Sequence, residues 1–373
     1  MKIINISLAE YHTEFVSVFD WDTILDRILL KVDKNPNKTK LAIMCSGDGL
    51  ISKFDKLENI VNEIEKQTNI RRENILLVIG SMGVQSTVDK YEECINERGW
   101  PQLTLVIQNT WEHLSAGRIT PKYSTLFDSS PRLKNKLLLF FNGEPRPDRG
   151  FMLASLIKYN LLKRSYVSAY HNVDAYRKLY LTNGGDAHAV SGLTRELIDI
   201  LSDNESLFPM ELTRVNFYTE ISNSFHPMDD QHFFNDSYFS LVHETIYYDT
   251  SFYNSGHIPT LFLTEKTYKV IAAKHPFIIA QRPSILKALR EEGYKTFHPY
   301  IDESYDQIED DVERLHSIRN EVLRLSKYSD DDWLLFQQNV KSIVDYNFNL
   351  LRTRHTATYK IYNPSSFTPY SKG

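Results

Sequence analysis

The sequence predicts an α/β protein of two domains, each on a mainly parallel sheet. Three observations predict it. Short buried runs alternate with amphipathic stretches from the amino terminus onward, the rhythm of strand–helix–strand units. A stretch of little periodicity carrying Gly117, Pro121 and Pro131 separates two such sets and puts a boundary near residue 130. A chain of 373 residues, 42% of them hydrophobic, is long enough to bury two cores of ordinary size.

In the first domain, residues 1–130, KLAIMCS, NILLVIGS and LTLVIQN are apolar runs of strand length, each bounded by a polar turn. Between them, Leu57, Ile60, Val61 and Ile64 recur at helical spacing in a helix from Leu57 to Ile70, and Val88 to Arg98 forms a second. The turns are Ser46-Gly47-Asp48-Gly49, Gly80-Ser81-Met82-Gly83 and Asn109-Thr110-Trp111-Glu112-His113. Neither glycine turn completes a dinucleotide or P-loop fingerprint, so both read as tight strand-to-helix connections.

The second domain, residues 131–351, opens with LLLFFNGEPRPDRGFMLASLIKYNLL from Leu137 to Leu162. A buried strand there ends in a proline turn, and a helix begins near Asp148 with an apolar face at Met152, Leu153, Leu156 and Ile157. Met210 to Thr219 reads as another strand. Tyr238 to Ala280 holds two strand-like runs, each delivering an acid, Glu244 and then Glu265, to the start of a helix. A helix over Pro283 to Glu292 and a short strand over Lys295 to His298 follow. The acidic run Asp306 to Glu313 reads as a solvated face leading into a helix with Leu315, Ile318, Val322 and Leu325 in register. Ser329 and Asp330 to Asp332 cap a last helix ending near Leu351. Residues 352–373, with Arg354, His355, Tyr359 and Lys360, form a mildly basic tail.

Composition narrows the function classes. A net charge of −5 argues against a surface given over wholly to nucleic acid. Cys45 and Cys94 are too few for a disulfide framework, and Cys45 reads as a small buried thiol. The amino terminus lacks the apolar core of a signal peptide, and no run approaches the roughly 20 apolar residues that span a bilayer. The expectation is a cytoplasmic protein without a transmembrane segment.

In a doubly wound sheet the ligand crevice lies where strands end and helices begin, and backbone N–H groups there can hold phosphate. Glu265-Lys266 pairs an acid for a sugar hydroxyl with a cation for a phosphate. Arg146 and Arg149 stand at the corresponding turn after the Leu137 strand, where a capping arginine on a solvated turn is the alternative reading.

The wording of these segments resembles the donor-site region of the α1,3-fucosyltransferases and the microbial and viral glycosyltransferases related to them. Phe239, Leu241, Glu244, Thr264, Glu265, Lys266 and Ala272 to Ile279 carry the resemblance: a Phe-x-Leu-x-x-Glu run, then Thr-Glu-Lys, an alanine-containing helix, a proline and a second hydrophobic strand. The resemblance spans roughly Leu137 to Phe297 and implies two Rossmann-like domains facing one another across a cleft, the arrangement called GT-B, with C-terminal helices packing across both. It implies a donor site for a nucleoside-diphosphate sugar. Arg149, with Arg146, Lys266 and Lys269, would hold the diphosphate; Glu265 would bind donor hydroxyls, Glu244 would face the transferring sugar, and Thr264 belongs to the same donor-binding set. Cations on the leaving phosphate leave no requirement for a metal or another cofactor.

An inverting transfer also needs a base for the acceptor hydroxyl, worth about 10²–10⁴-fold. Asp48, Glu112 and His113 on the first domain's strand-end turns are the candidates, with Asp20 and Asp22 behind them. Asp20-Trp21-Asp22 resembles a metal-binding Asp-x-Asp only superficially, and His226, Asp229, Asp230 and His232 match no metal-ligand spacing. The expected acceptor is a glycan or lipid-linked sugar. A hydroxymethylated base in DNA is the alternative, and a non-catalytic nucleotide-sugar-binding or scaffold protein is the second.

Overall fold

The computed structural model describes residues 2–7, 39–44, 50–51, 57–80, 84–99, 101–109, 112, 115–116, 119, 123–182, 192–210, 212, 231–248, 258–259, 261, 263–354 and 359–362. The chain divides into two compact units, one of Met1–Trp111, Tyr253–Phe262 and Ala357–Gly373, the other of Glu112–Phe252 and Leu263–Thr356.

In the first unit, strands β1 (Lys2–Ser7), β2 (Thr39–Met44), β4 (Ile75–Gly80) and β5 (Thr104–Gln108) lie side by side in chain order and parallel, while β3 (Leu50–Ile51) stands outside that sheet. Strand side chains alternate between faces, so Leu41, Ile43, Ile75, Leu77, Ile79, Leu105 and Ile107 share one face. They pack there with Leu57, Ile60, Val61 and Ile64 of α1 (Leu57–Thr68) and Val88, Tyr91 and Cys94 of α2 (Val84–Arg98). Right-handed crossovers that always step the same way put both helices on one face. The Tyr91 hydroxyl fastens α2 to β5, donating to Pro101 O at 2.8 Å and accepting from Leu103 N at 2.8 Å.

The second unit opens with α3 (Tyr123–Leu126) and β6 (Lys136–Phe140), followed by α4 (Pro147–Lys158) and β7 (Tyr166–Val167). Next come α5 (Val173–Thr182), α6 (Arg195–Asp203), α7 (Gln231–Asn235) and β8 (Ser237–His243). After β9 (Ile258–Pro259), the chain continues as α8 (Glu265–Ala272), β10 (Phe277–Ala280), α9 (Ile285–Glu291), α10 (Asp311–Leu325) and α11 (Asp330–Thr353). The sheet runs β10-β8-β6-β7, all parallel. Every residue of β8 is buried, the mark of a parallel strand covered on both faces. From β6 the chain crosses through α4 to β7 on one side, then returns to place β8 on the other. Strand order therefore reverses between β6 and β8.

Both units are α/β with parallel strands, compatible with a Rossmann-like fold. Among the described residues no helix is long and apolar enough to cross a membrane. The sequence strands appear as β2, β4 and β5, and α10 buries Leu315, Ile318, Val322 and Leu325. The α11 helix starts in a capping box between Ser329 and Asp332 and packs on α8.

Several details depart from the sequence reading. The described residues between 112 and 130 fall in the second unit, where Phe127 meets Phe234 edge-on at 5.9 Å and Ser129 Oγ donates to Asp345 at 3.0 Å. The segment read as a tail contributes β11 (Tyr359–Tyr362), which pairs antiparallel with β5, and β9 pairs with β3. Lys295 to His298 is not a strand: Lys295 N donates to Asn347 Oδ1 at 2.8 Å and Phe297 N to Glu303 Oε1 at 2.5 Å, so side chains take its backbone donors. Asp306 is buried rather than solvated. It accepts from Leu286 N and Lys287 N at the head of α9, and burial pushes its carboxyl up to about 6. Arg314 is buried too, donating to the carbonyls of Gln281 and Ile308 at 2.9 and 2.7 Å, and of Tyr247 at 3.3 Å. Met210 bridges to Ala169, while 213–219 lie outside the described residues.

Candidate functional site

In an open parallel sheet, ligands bind beyond the carboxyl ends of the strands where strand order reverses. A cavity of ≈ 280 Å³ lies there in the second unit. Phe141, Asn142, Gly143 and Glu144 line it from the turn after β6, Arg146 and Arg149 from the head of α4, and Ser168 and Tyr170 from beyond β7. His243 and Thr245 border it at the end of β8, and Glu265, Lys266 and Lys269 project from α8.

The first wall is built by the head of α4. Pro147 at the first helical position and Asp148 in the first turn suit a helix start, and Arg146 occupies the cap position without a side-chain cap bond. Arg149 is only 4% exposed. Its Nη1 donates to Glu144 O at 2.7 Å and its Nη2 to His243 O at 3.3 Å, tying the β6 turn to the end of β8. Burial, with the neighbouring Arg146, pulls its pKa below the ordinary value, and Asp148 opposes this. Asp148 turns the other way and meets His243 Nδ1 at 2.6 Å.

The second wall is the head of α8. Thr264 caps this helix through its hydroxyl, and Glu244 holds the cap in place. Glu244 Oε1 accepts from Thr264 N at 3.1 Å and Thr267 Oγ1 at 2.7 Å; Oε2 accepts from Thr264 Oγ1 at 2.6 Å. Lys266 Nζ reaches Thr264 Oγ1 at 2.9 Å and Thr245 Oγ1 at 3.3 Å, with Glu265 Oε1 at 3.4 Å. Lys269 stands over the Phe141 ring, 4.9 Å from its centre, within cation–π range.

Of the residues singled out by sequence, Arg146, Arg149, Glu265, Lys266 and Lys269 come together around the cavity. Glu244 and Thr264 do not line it. Glu244 is fully buried and its carboxylate is spent on the Thr264–Thr267 turn, so it supports the site from beneath instead of facing a sugar. Nor does it open a helix, since the described residues after it run in bends. Glu112 is also committed: buried in the second unit, it accepts from the Tyr294 hydroxyl at 2.7 Å and lies 3.5 Å from Arg354 Nε. Asp48 and His113 lie outside the described residues, as do Asp20, Asp22, His226, Asp229 and Asp230.

Sequence reasoning passed over Asn142, Asp148 and His243. An acid in a helix's first turn reads as a dipole partner, and a histidine ending an apolar strand reads as core; their pairing spans 95 positions. Five of the seven buried side-chain atoms lacking a hydrogen-bond partner among the described residues lie at the head of α4 and the strand ends beside it, Asn142 Oδ1, Arg146 Nε, Asp148 Oδ1, Arg149 Nε and His243 Nε2, and all but Asp148 belong to cavity-lining residues. Native proteins leave few such atoms, so their concentration at one cavity marks a place that a ligand or ordered water completes. No family model, curated protein or solved structure matches the chain.

Proposed function

We propose that the chain is an inverting, metal-independent glycosyltransferase of GT-B type that moves a sugar from a nucleoside-diphosphate sugar to the hydroxyl of a glycan or lipid-linked acceptor. One observation carries the reading: four cationic side chains, Arg146, Arg149, Lys266 and Lys269, and two acids, Glu265 and Glu144, line one cavity at the strand-order reversal of a parallel sheet. That set suits a ligand that is both anionic and rich in hydroxyls.

As the anomeric carbon parts from its diphosphate, negative charge grows on the leaving phosphate, and fixed cations beside it lower the barrier. Arg149 and Lys266, each anchored by hydrogen bonds, would supply most of this, with Arg146 and Lys269 flanking. Glu265 would accept from ribose or sugar hydroxyls, while Glu244 keeps Thr264 and Lys266 in register. The base for the acceptor would come from Asp48 or His113.

Thermal stabilisation by a panel of nucleotide sugars, with and without EDTA, tests the reading, because a ligand that binds only the native state raises the melting temperature. One nucleotide sugar is expected to stabilise the protein equally in both conditions. In the transfer assay with that donor, Arg149→Ala and Lys266→Ala are each expected to lose about 2.7–4 kcal/mol of transition-state stabilisation. Wild-type rates in both variants would sink the proposal. Duplex binding that falls steeply with salt would redirect the acceptor to DNA.

A further inference from the structure

The Asp148–His243 pair is not needed by the reading above, yet His243 lines the same cavity and Asp148 stands behind it. His243 Nδ1 lies 2.6 Å from Asp148 Oδ2, with side-chain exposures of 0% and 1%. Burial works to raise the Asp148 carboxyl, but the hydrogen bond and charge of His243, then Arg149 and Arg146, hold it below the usual carboxylate range. Burial, helped by Arg149 and opposed by Asp148, holds His243 below the usual imidazole range. The resting pair is therefore a carboxylate accepting from a neutral imidazole. Its Nδ1–H is committed to Asp148, so Nε2 carries a bare lone pair, and that atom has no partner among the described residues. Packing alone does not account for a buried imidazole left half satisfied beside two arginines whose Nε atoms are likewise unpartnered.

We propose that His243, backed by Asp148, is a proton-coupled anion-binding residue of the cavity. When a diphosphate-bearing ligand enters, His243 takes one proton from solvent onto Nε2 and donates it as a hydrogen bond to a ligand oxygen. The physical reason is charge. Burial and then Arg149 disfavour an imidazolium at His243; a multiply charged anion beside the ring offsets them and rewards the added proton, while Asp148 balances the other ring nitrogen. The inference rests on the anionic-ligand reading of the cavity and names one more residue that serves it.

Around the pair stand Asp148, Arg149 and Arg146 at the head of α4, Tyr176 of α5 and Tyr247 beyond β8. Burial keeps both phenols far above neutral pH, so neither exchanges a proton on binding. His171, 3.6 Å from Glu144, is a second imidazole near the rim, so the test is a difference between variants.

The experiment is calorimetric titration of the full chain with inorganic pyrophosphate at pH 7, in two non-phosphate buffers of different ionisation enthalpy. His243→Gln and Asp148→Asn are run beside the wild type. The wild type is expected to take up more protons than either variant, the difference approaching about one proton per site. Pyrophosphate should also bind several-fold more weakly to His243→Gln. If that variant does not fold, the near-isosteric Asp148→Asn carries the comparison. Equal proton uptake in the wild type and the folded variants would overturn the role of His243 and leave the anion site standing. Absence of pyrophosphate binding by the wild type would overturn both.

Discussion

Glu244 provides a sharp separation between a residue that touches ligand and one that holds the site together. Its carboxylate accepts three hydrogen bonds, from Thr264 N, Thr264 Oγ1 and Thr267 Oγ1 at 3.1, 2.6 and 2.7 Å, with the Lys266 ammonium 3.8 Å away and the side chain wholly buried. A bond to a charged acceptor contributes about 1.5–3 kcal/mol, and the three share one acceptor, so they do not add in full. Glu244→Ala strands three buried donors and is expected to cost about 4–5 kcal/mol, the extreme end for single substitutions. Glu244→Gln keeps one oxygen for two donors but sets an amide N–H₂ against the Thr264 hydroxyl and the Lys266 ammonium, costing about 1.5–3 kcal/mol. Lys266→Ala, whose side chain is 30% exposed, is expected to stay within about 1 kcal/mol of wild type while weakening nucleotide binding. Urea denaturation monitored by tryptophan fluorescence reads all three through the midpoint at constant slope. If Glu244→Ala unfolds at the wild-type urea concentration yet loses nucleotide affinity, the carboxylate is a ligand group and the account of it as a support is wrong.

Two more substitutions test the frame around the cavity. A Cβ at Gly150, in the first turns of α4, would meet the Tyr176 ring at 2.9 Å and Leu193 at 3.3 Å, both buried. The gain of about 1 kcal/mol in helix propensity is outweighed by overpacking of about 1–3 kcal/mol, so Gly150→Ala is expected to lower the melting temperature, and a rise would refute the packing. For Asp306, the folded state keeps its proton up to about 6 whereas the ordinary carboxyl releases it near 3.8. The folded chain thus binds the extra proton in that window, and stability falls as pH rises through it, by about 2–3 kcal/mol. The wild type minus Asp306→Asn stability difference is expected to decline by that amount between pH 4 and 7, and a flat difference would refute the burial of this carboxyl.

Wherever the information was local, it was legible in the order of residues. Apolar runs of strand length became β2, β4 and β5, and helical spacing placed α1 and the buried stripe of α10. Ser329 and Asp332, three positions apart, formed their capping box without help from the rest of the chain. Arg149 was legible too, because a cation at the head of a helix after a buried strand stands at a crevice in any doubly wound sheet, whereas the two-residue β9 ahead of Lys266 pairs with β3 outside that sheet. Lys295 to His298 failed as a strand because its backbone donors went to Asn347 and Glu303, partners that no local pattern names.

The sequence by itself determined the apolar strands β2, β4 and β5, the buried stripes of α1 and α10, and the cations at the head of α4, because these follow from periodicity and from chemistry within a turn or two. The tertiary structure alone decided what those residues do. Placing β8 on the far side of β6 from β7 brought His243 against Asp148 and Arg149, and the path back to α8 folded Glu244 under Thr264. Burial can be read from one strand, but a buried polar atom's partner depends on which strand lies next to it, and strand order is a property of the whole sheet.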